Sequence, residues 1–207
     1  MSRGSGHRFR VVVLISGGGS NLAALLKACQ DRSYRVDVVA VGSDRPDIGG
    51  LDIAAKKGVA TFVEPVSGYQ SRAEWDAALT ARVAAFHPDL VVSAGFLKLV
   101  GPTFLKTFGD RYVNTHNSLL PSFPGMRAPE EALAYGVKVT GATLFFVDGG
   151  VDTGPVIAQV TVPVEPDDTV ETLTERIKVA ERRQLVEFIG RLAREGWTID
   201  DRKVTIP

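Results

Sequence analysis

Short runs of β-branched and aliphatic residues recur through the first half of the chain, each followed by a glycine-containing or polar turn. Runs that are apolar at every position are typical of strands buried on both faces of a parallel sheet. Between them, apolar residues recur every three to four positions, as in amphipathic helices. The pattern predicts strands at 11–15, 36–41, 59–63, 90–94 and 112–116, and helices at 22–29, 48–57, 71–86 and from Pro102 onward.

This alternation of strands and helices predicts an α/β fold built on a doubly wound, mostly parallel sheet. Further along, strands at 140–147 and 156–164 flank a glycine-rich loop, so we expect them to pair and make the C-terminal side of the sheet mixed. A helix at 129–135, a long helix at 170–194 and a strand-like tail at 197–207 complete the pattern. No repeat or long linker divides the chain, which predicts a single domain over 1–207 with a disordered tail at 1–8.

Helix caps can also be predicted from the sequence. Ser71 is expected to cap the helix at 71–86, with Glu74 completing a capping box. Ser20 or Asn21 is expected to cap the first helix, because short polar side chains can accept hydrogen bonds from free N–H groups at a helix start.

Composition and charge narrow the class of protein. The 207 residues include 24 Lys plus Arg and 24 Asp plus Glu, so no net charge favours nucleic acid or an anionic membrane as a partner. Cys29 is the only cysteine, which excludes an internal disulfide framework and most thiolate metal sites. No signal peptide or apolar run of roughly 20 residues is present. The sequence thus predicts a cytoplasmic protein with small-molecule substrates, and it leaves the oligomeric state open, a homodimer included.

A glycine-rich segment joins the first predicted strand to the first predicted helix. Residues 16–21 read Ser-Gly-Gly-Gly-Ser-Asn, and main-chain N–H groups at such a helix start can hold an anion. Leu22 stands where a dinucleotide fingerprint has its last glycine, and no Gly-Lys-Ser/Thr follows. A single phosphate of a small metabolite therefore fits better than a dinucleotide. The alternative is a tight turn without a ligand.

Asn114 and His116 stand two apart on a predicted strand, so their side chains point to one face. A carboxamide beside an imidazolium suits the negative oxygen of a tetrahedral acyl intermediate. Asp152, in the loop between the two C-terminal strands, would favour the protonated imidazole and could accept or relay a proton from an attacking amine. A Ser-His-Asp hydrolase fits less well, because the sequence has no G-x-S-x-G elbow. Nor does any His, Cys and carboxylate cluster have metal-ligand spacing.

These candidate residues follow different strands, yet one cleft could contain them. In doubly wound sheets, ligands bind at the carboxyl ends of the strands. The glycine-rich segment, residues 96–100 and the Asn114/His116 pair all fall at such ends. The sequence therefore predicts acyl transfer, without a covalent enzyme intermediate, at this edge of the sheet.

Four segments resemble the phosphoribosylglycinamide formyltransferase (glycinamide ribonucleotide transformylase) family of folate-dependent formyltransferases. They are 16–22, 114–121 (Asn-Thr-His-Asn-Ser-Leu-Leu-Pro), 123–125 (Phe-Pro-Gly) and 151–155 (Val-Asp-Thr-Gly-Pro). The resemblance covers nearly the whole chain in order, and implies a Rossmann-like formyltransferase fold and a role in purine biosynthesis. It also implies that the amine of phosphoribosylglycinamide attacks the formyl group of 10-formyltetrahydrofolate directly, with no metal.

The resemblance further implies roles for individual residues. Asn114 and His116 would stabilise the oxyanion, with His116 as general acid, and Asp152 would keep His116 protonated. The phosphoribosylglycinamide site would comprise Gly19, Ser20, Asn21 and Glu181. The folate site would comprise Arg72, Leu97, Lys98, Leu99, Val100 and Asn114. For Arg72 and Glu181, an ordinary solvated charge on a helix is the alternative interpretation.

Three departures from the family pattern leave other functions open. Asn117 replaces the usual proline after His116, Phe145 stands where the family commonly has a histidine, and residues 126–130 differ from the usual segment. One alternative is a formyltetrahydrofolate deformylase, which passes the formyl group to water with residues similar to Asn114, His116 and Asp152. Against this alternative, the deformylase family carries an additional N-terminal domain. Another is a catalytically impaired relative that only binds a phosphorylated metabolite or folate.

Overall fold

The computed structural model describes residues 8–207. The disordered tail expected at 1–8 therefore lies, apart from Arg8, outside the described residues. Arg8 donates hydrogen bonds from its guanidinium to the carbonyl oxygens of Cys29 and Val36, at 2.9 and 2.8 Å. Within residues 8–207, no helix is long and apolar enough to cross a membrane.

A seven-stranded sheet forms the centre of the fold. Its strands are β1 (Phe9–Ile15), β2 (Val36–Ser43), β3 (Ala60–Val63), β4 (Leu90–Ser93), β5 (Tyr112–His116), β6 (Val139–Phe146) and β7 (Val156–Pro163). They lie in the order β3-β2-β1-β4-β5-β6-β7. Strands β1 to β5 are parallel, whereas β6 is antiparallel to both β5 and β7. The predicted α/β fold, with a mostly parallel sheet and mixed C-terminal strands, is confirmed.

Six helices cover the two faces of this sheet. They are α1 (Ser20–Ala28), α2 (Gly49–Lys56), α3 (Arg72–Ala84), α4 (Pro102–Phe108), α5 (Ala128–Tyr135) and α6 (Val170–Glu195). Helices α1, α2 and α6 pack against Val11, Val13 and Ile15 of β1, while α3 and α4 pack on the opposite face against Val12 and Leu14. These five side chains of β1 are fully buried. The unbroken apolar run therefore reflects a strand covered on both sides.

A small C-terminal hairpin, β8 (Thr198–Asp200) and β9 (Lys203–Thr205), accounts for the predicted strand-like tail. Trp197, which precedes it, stacks on Phe146 of β6 with ring centroids 5.7 Å apart. The Trp197 indole N–H also donates to the carbonyl oxygen of Asp110 at 3.1 Å. These contacts fasten the hairpin to the body of the fold, on the face that α6 covers.

The helix caps agree with the sequence only in part. Ser71 caps α3, since its Oγ accepts from the Glu74 N–H at 3.2 Å. The capping box is not formed, because the Glu74 carboxylate accepts from the N–H of Gln70, one residue before the cap. The prediction that Ser20 or Asn21 caps α1 is wrong: Gly19 is the N-cap, at φ 75, without a side-chain cap bond. A left-handed backbone at the cap favours glycine over residues with a Cβ.

Candidate active site

Strand β5 brings Asn114 and His116 to the edge of the sheet where the parallel strands end. On one side Ser93 of β4 pairs with Asn114, and on the other Phe145 and Thr143 of β6 pair with Asn114 and His116. Directly paired residues share a face of the sheet. Asn114 therefore lies beside the fully buried ring of Phe145, which stands where the family pattern has a histidine.

Both ring nitrogens of His116 face acceptors. The Nε2–H donates to the main-chain oxygen of Phe123 at 2.8 Å, and Nδ1 lies 3.5 Å from Oδ2 of Asp152. Because a carbonyl oxygen can only accept, Nε2 carries a hydrogen in this contact. The ring thus lies between a main-chain carbonyl on one side and a carboxylate on the other. Sequence reasoning anticipated the aspartate but missed the Phe123 carbonyl, since every residue carries such an acceptor.

Asp152 reaches His116 from the loop between β6 and β7. Its backbone is left-handed, at φ 55, a conformation that aspartate tolerates better than most residues. Its Oδ2 also accepts from the N–H of Gly125 at 2.8 Å, which ties the Asp152 loop to the proline-rich loop after β5. A Cβ on Gly154 would lie 1.7 Å from the Phe146 carbonyl oxygen, so only glycine allows this close approach. Gly154 thus has a packing role in the loop that carries Asp152.

The glycine-rich segment forms the turn between β1 and α1. A Cβ on Gly19 would lie 2.7 Å from the Cα of Gly50, at the start of α2, and the Gly50 N–H donates to the Gly17 oxygen at 3.2 Å. The first main-chain bond of α1 runs from Ala23 to Gly19, so the preceding N–H groups of the turn have no partner within the helix. Sequence reasoning missed Gly50, although the Gly49-Gly50 pair was a visible signal.

Glu181 of α6 lies under this turn rather than in solvent. Its side chain is 5% exposed, and its Oε1 accepts from the Asn21 carboxamide at 3.2 Å. Burial raises the pKa of Glu181, and hydrogen bonds from Thr115 and Asn21 only partly oppose that shift. The interpretation of Glu181 as a solvated helix charge therefore does not apply. The Asn21 carboxamide is committed to this contact, which leaves the main chain and Ser20 as the donors available to an anion at the turn.

The loop after β4 is held from several sides. Its Leu97 N–H donates to Ser16 Oγ at 2.8 Å, and the Lys98 ammonium lies 3.2 Å from Oδ2 of Asp44. The exposed Arg72 donates to the Leu99 oxygen and lies over the Trp75 ring. The side chains of Leu97 and Leu99 remain more than half exposed, as an apolar wall would require.

Two buried aspartates that the sequence argument missed support this wall. Burial disfavours ionisation of Asp44, but hydrogen bonds from Ser16 and Lys98 outweigh burial, and the pKa of Asp44 is lowered. Asp76 of α3 is 1% exposed and accepts from the N–H groups of Gly101, Thr103 and Phe104, at 2.6 to 3.3 Å. Asp76 thereby caps α4 and fixes the far end of the loop.

One edge of the sheet therefore brings together an imidazole, a carboxamide and a carboxylate. The helix start of α1 and the Leu97–Leu99 wall lie at the same edge, after β1 and β4. Such donors can stabilise a developing oxyanion, and the carboxylate can take up a proton. Among residues 8–207, no group of three or more His, Cys, Asp or Glu side chains could hold a metal ion.

Comparisons with known proteins agree with this geometry. The family model described as formyl transferase matches residues 9–189. The chain is 52% identical over 197 residues to the phosphoribosylglycinamide formyltransferase of Mycobacterium tuberculosis, an alignment that covers 95% of this chain and 91% of that protein.

Solved structures of folate-dependent enzymes share the fold of this chain. The glycinamide ribonucleotide transformylase 1 of Symbiobacterium toebii superposes with a TM-score of 0.94 at 44% identity, over 98% of this chain and 95% of that one. A formyltetrahydrofolate deformylase from Pseudomonas syringae has a TM-score of 0.90 at 25% identity, over 98% of this chain and 67% of that one. With a family model that matches most of its length and a relative above half identity, this chain belongs to the formyl transferase family.

Proposed function

We propose that this protein transfers the formyl group of 10-formyltetrahydrofolate to the amine of phosphoribosylglycinamide, a step of purine biosynthesis. The observation that carries the proposal is the His116–Asp152 pair at the same sheet edge as the α1 start, where an anion can bind. The 52% identity to a phosphoribosylglycinamide formyltransferase supports it. We also propose that the reaction takes place in the cytoplasm, as the biosynthetic class of the relatives supports; homodimer formation stays a prediction.

In the proposed reaction, the amine nitrogen attacks the formyl carbon and forms a tetrahedral intermediate with a negative oxygen. Asn114 and His116 donate hydrogen bonds to that oxygen, and these bonds strengthen as negative charge develops on it. Nε2 of His116 is already paired with the Phe123 oxygen, so it must exchange this acceptor for the substrate oxygen. Asp152 keeps the ring doubly protonated and takes up the proton that the attacking amine loses. Collapse of the intermediate breaks the bond to N10 of the folate, which leaves with the proton that His116 donates as general acid. Transfer of the amine's proton from Asp152 to the ring then restores the starting state.

The two substrates occupy opposite ends of the edge in this proposal. The phosphate of phosphoribosylglycinamide binds the main-chain N–H groups of Gly19, Ser20 and Asn21, where the positive end of the α1 dipole adds to the attraction. Glu181, buried beneath the turn, orients Asn21 and meets the non-phosphate part of the ligand. The folate ring lies against the exposed side chains of Leu97 and Leu99.

The folate end of the site includes Val100 and Asn114 along with the wall formed by Leu97, Lys98 and Leu99. Lys98 contributes main chain and methylenes, since its ammonium is paired with Asp44. Arg72 holds the Leu99 carbonyl, so its contribution to folate binding includes keeping the wall in place.

Hydrolysis of the formyl group to formate is the second candidate function. The structural similarity to the deformylase favours hydrolysis, because water could take the position of the amine beside Asn114, His116 and Asp152. Against it, identity to the deformylase is 25%, compared with 52% to the transferase relative. A reaction with water also has no use for a phosphate site at α1.

A single assay separates these functions. Folate release from 10-formyldihydrofolate, a close analogue of the co-substrate, is measured with and without phosphoribosylglycinamide. Transfer predicts product only when the acceptor is present. Product without acceptor would establish deformylation instead, and no product in either case would establish a binding-only relative.

The same assay tests the role of His116. His116→Ala removes an oxyanion donor and the proposed acid, which should cost about 2.7–4 kcal/mol of barrier, or roughly 100- to 1,000-fold in kcat. His87→Ala is the matched control, because His87 lies in the connection between α3 and the start of β4, away from this edge. A near-normal rate for His116→Ala would remove His116 from the mechanism.

A further inference from the structure

Thr143 of β6 lies directly opposite His116 in the sheet and is fully buried. Its hydroxyl donates to the Ser118 oxygen at 2.7 Å and accepts from the Leu120 N–H at 3.0 Å. One hydroxyl therefore fixes two main-chain positions of the loop that follows His116. The contact depends on the β5–β6 register, since neighbours on β6 face the other side of the sheet.

Gln159 of β7 extends this contact by one strand. Its Nε2 donates to the Leu120 oxygen at 2.8 Å and to Thr143 Oγ1 at 3.1 Å. The Thr143 hydroxyl thus donates one hydrogen bond and accepts two, which fills its capacity. A hydroxyl in that state has a defined orientation, and together with Gln159 it ties the loop after β5 to β6 and β7.

The clamped loop leads to the acceptor of the His116 ring. Ser118, whose carbonyl is held by Thr143, donates from its Oγ to the oxygens of Ser122 and Phe123. Phe123 has φ 52, which costs energy for an aromatic residue and persists only where neighbouring contacts hold it. The Phe123 oxygen is the atom that accepts from His116 Nε2. An unbroken chain of contacts therefore joins Thr143 to the catalytic ring.

We propose that Thr143 and Gln159 are positioning residues, which orient His116 by holding the 118–123 loop and the Phe123 carbonyl in place. The proposal rests on the proposed function for its kinetic readout. It assigns neither side chain a contact with substrate. This positioning serves the chemistry, because the ring must be held in one orientation until the substrate oxygen replaces the Phe123 oxygen as the acceptor of Nε2–H.

Strand β6 supplies a matched control. Thr140 is also a buried threonine, 2% exposed, but lies on the opposite face of β6. Among residues 8–207, its Oγ1 has no hydrogen-bond partner. Thr140→Val therefore makes the same chemical change as Thr143→Val without breaking a bond. A general effect of removing a buried hydroxyl from β6 would appear in both variants, whereas a positioning effect appears only at Thr143.

The experiment compares Thr143→Val, Thr143→Ser, Gln159→Ala and Thr140→Val in the formyl transfer assay. Displacement of a catalytic group by about 1 Å costs up to about 100-fold, so Thr143→Val should lower kcat about 10- to 100-fold with little change in the KM for phosphoribosylglycinamide. Thr143→Ser keeps the hydroxyl and should retain most of kcat. Gln159 is exposed, so Gln159→Ala should fold normally and lose a smaller part of kcat.

A second readout does not depend on the proposed function. The ring ¹⁵N signals of His116, assigned by their loss in His116→Ala, should show a hydrogen-bonded Nε2–H in the wild type and Thr140→Val, but an altered one in Thr143→Val. The positioning proposal is overturned if Thr143→Val leaves both kcat and these signals unchanged, or if Thr140→Val or Thr143→Ser is equally impaired. If the wild type transfers no formyl group, the proposed function fails, and the ring signals alone decide the positioning proposal.

Discussion

Asp152→Asn removes the negative charge that faces the His116 ring while preserving the shape of the side chain. In the wild type, Oδ2 of Asp152 accepts from the Gly125 N–H at 2.8 Å and lies 3.5 Å from Nδ1 of His116. The asparagine oxygen can take the same position and keep the bond to Gly125. The substitution therefore tests the charge rather than the loop geometry, and it should lower kcat more than it lowers stability.

The size of the effect follows from the Asp152–His116 distance. Two unit charges 3.5 Å apart interact by about 1 kcal/mol in a water-like dielectric and about 5 kcal/mol at an effective constant of 20. The side chains are 8% and 13% exposed, so the site lies between these limits. At 1.36 kcal/mol per tenfold change in rate, kcat should fall between about 10-fold and about 3,000-fold.

The assay is steady-state formyl transfer from the folate to phosphoribosylglycinamide, with thermal unfolding measured alongside. Asp148→Asn is the control, because Asp148 lies in the same loop and its carboxylate accepts from Gly150 and Thr153 of that loop. Asp148→Asn removes one negative charge from the same loop, as Asp152→Asn does, but not the charge that faces the His116 ring. A kcat for Asp152→Asn within about threefold of wild type, or an equal loss in Asp148→Asn, would refute the charge argument.

Two further predictions concern buried carboxylates. Since burial raises the pKa of Glu181, its contribution to stability is present below its ordinary pKa and is lost as pH rises toward the folded value. Glu181→Gln should thus unfold at a higher temperature than wild type at pH 8 but not at about pH 4. Its KM for phosphoribosylglycinamide should rise. A difference in unfolding temperature that does not change with pH would contradict this argument. Asp76→Ala leaves the buried N–H of Phe104 without its acceptor, at about 1–3 kcal/mol, and the N–H groups of Gly101 and Thr103 with solvent alone. Tm should therefore fall by about 5–10 °C in differential scanning calorimetry. The exposed Asp52→Ala should change Tm by less than about 2 °C, and a similarly small change for Asp76→Ala would show that another group caps α4.

The sheet could be predicted from the sequence because its signal is local. The β1 run is apolar at every position, and its side chains alternate between two helix-covered faces. The same parity argument applies to Asn114 and His116, whose two-residue spacing on β5 follows from strand geometry alone. Element type and order depend on neighbours within a few residues, which explains why they could be derived before any coordinates.

The supporting contacts of the site could not be predicted, because they join distant parts of the chain. Asp76 binds an N–H group 25 residues away, and Asn21 binds a carboxylate 160 residues away. Nothing in the local sequence distinguishes Asp76 from an ordinary polar residue of an amphipathic helix. The prediction of a polar cap for α1 failed for a related reason, since the close approach of Gly50 to Gly19 decides the backbone there.

Glu181 shows where sequence and structure differ most in what they say about function. A glutamate in a run of charged helix residues has the pattern of a solvated face, yet it is buried with a raised pKa. Burying an ionisable group opposes folding unless its charge is compensated. A glutamine at this position could keep the bond to Asn21 without that cost. The proposed function accounts for the ionisable group by a contact between Glu181 and phosphoribosylglycinamide, so we expect Glu181→Gln to improve stability and impair substrate binding together.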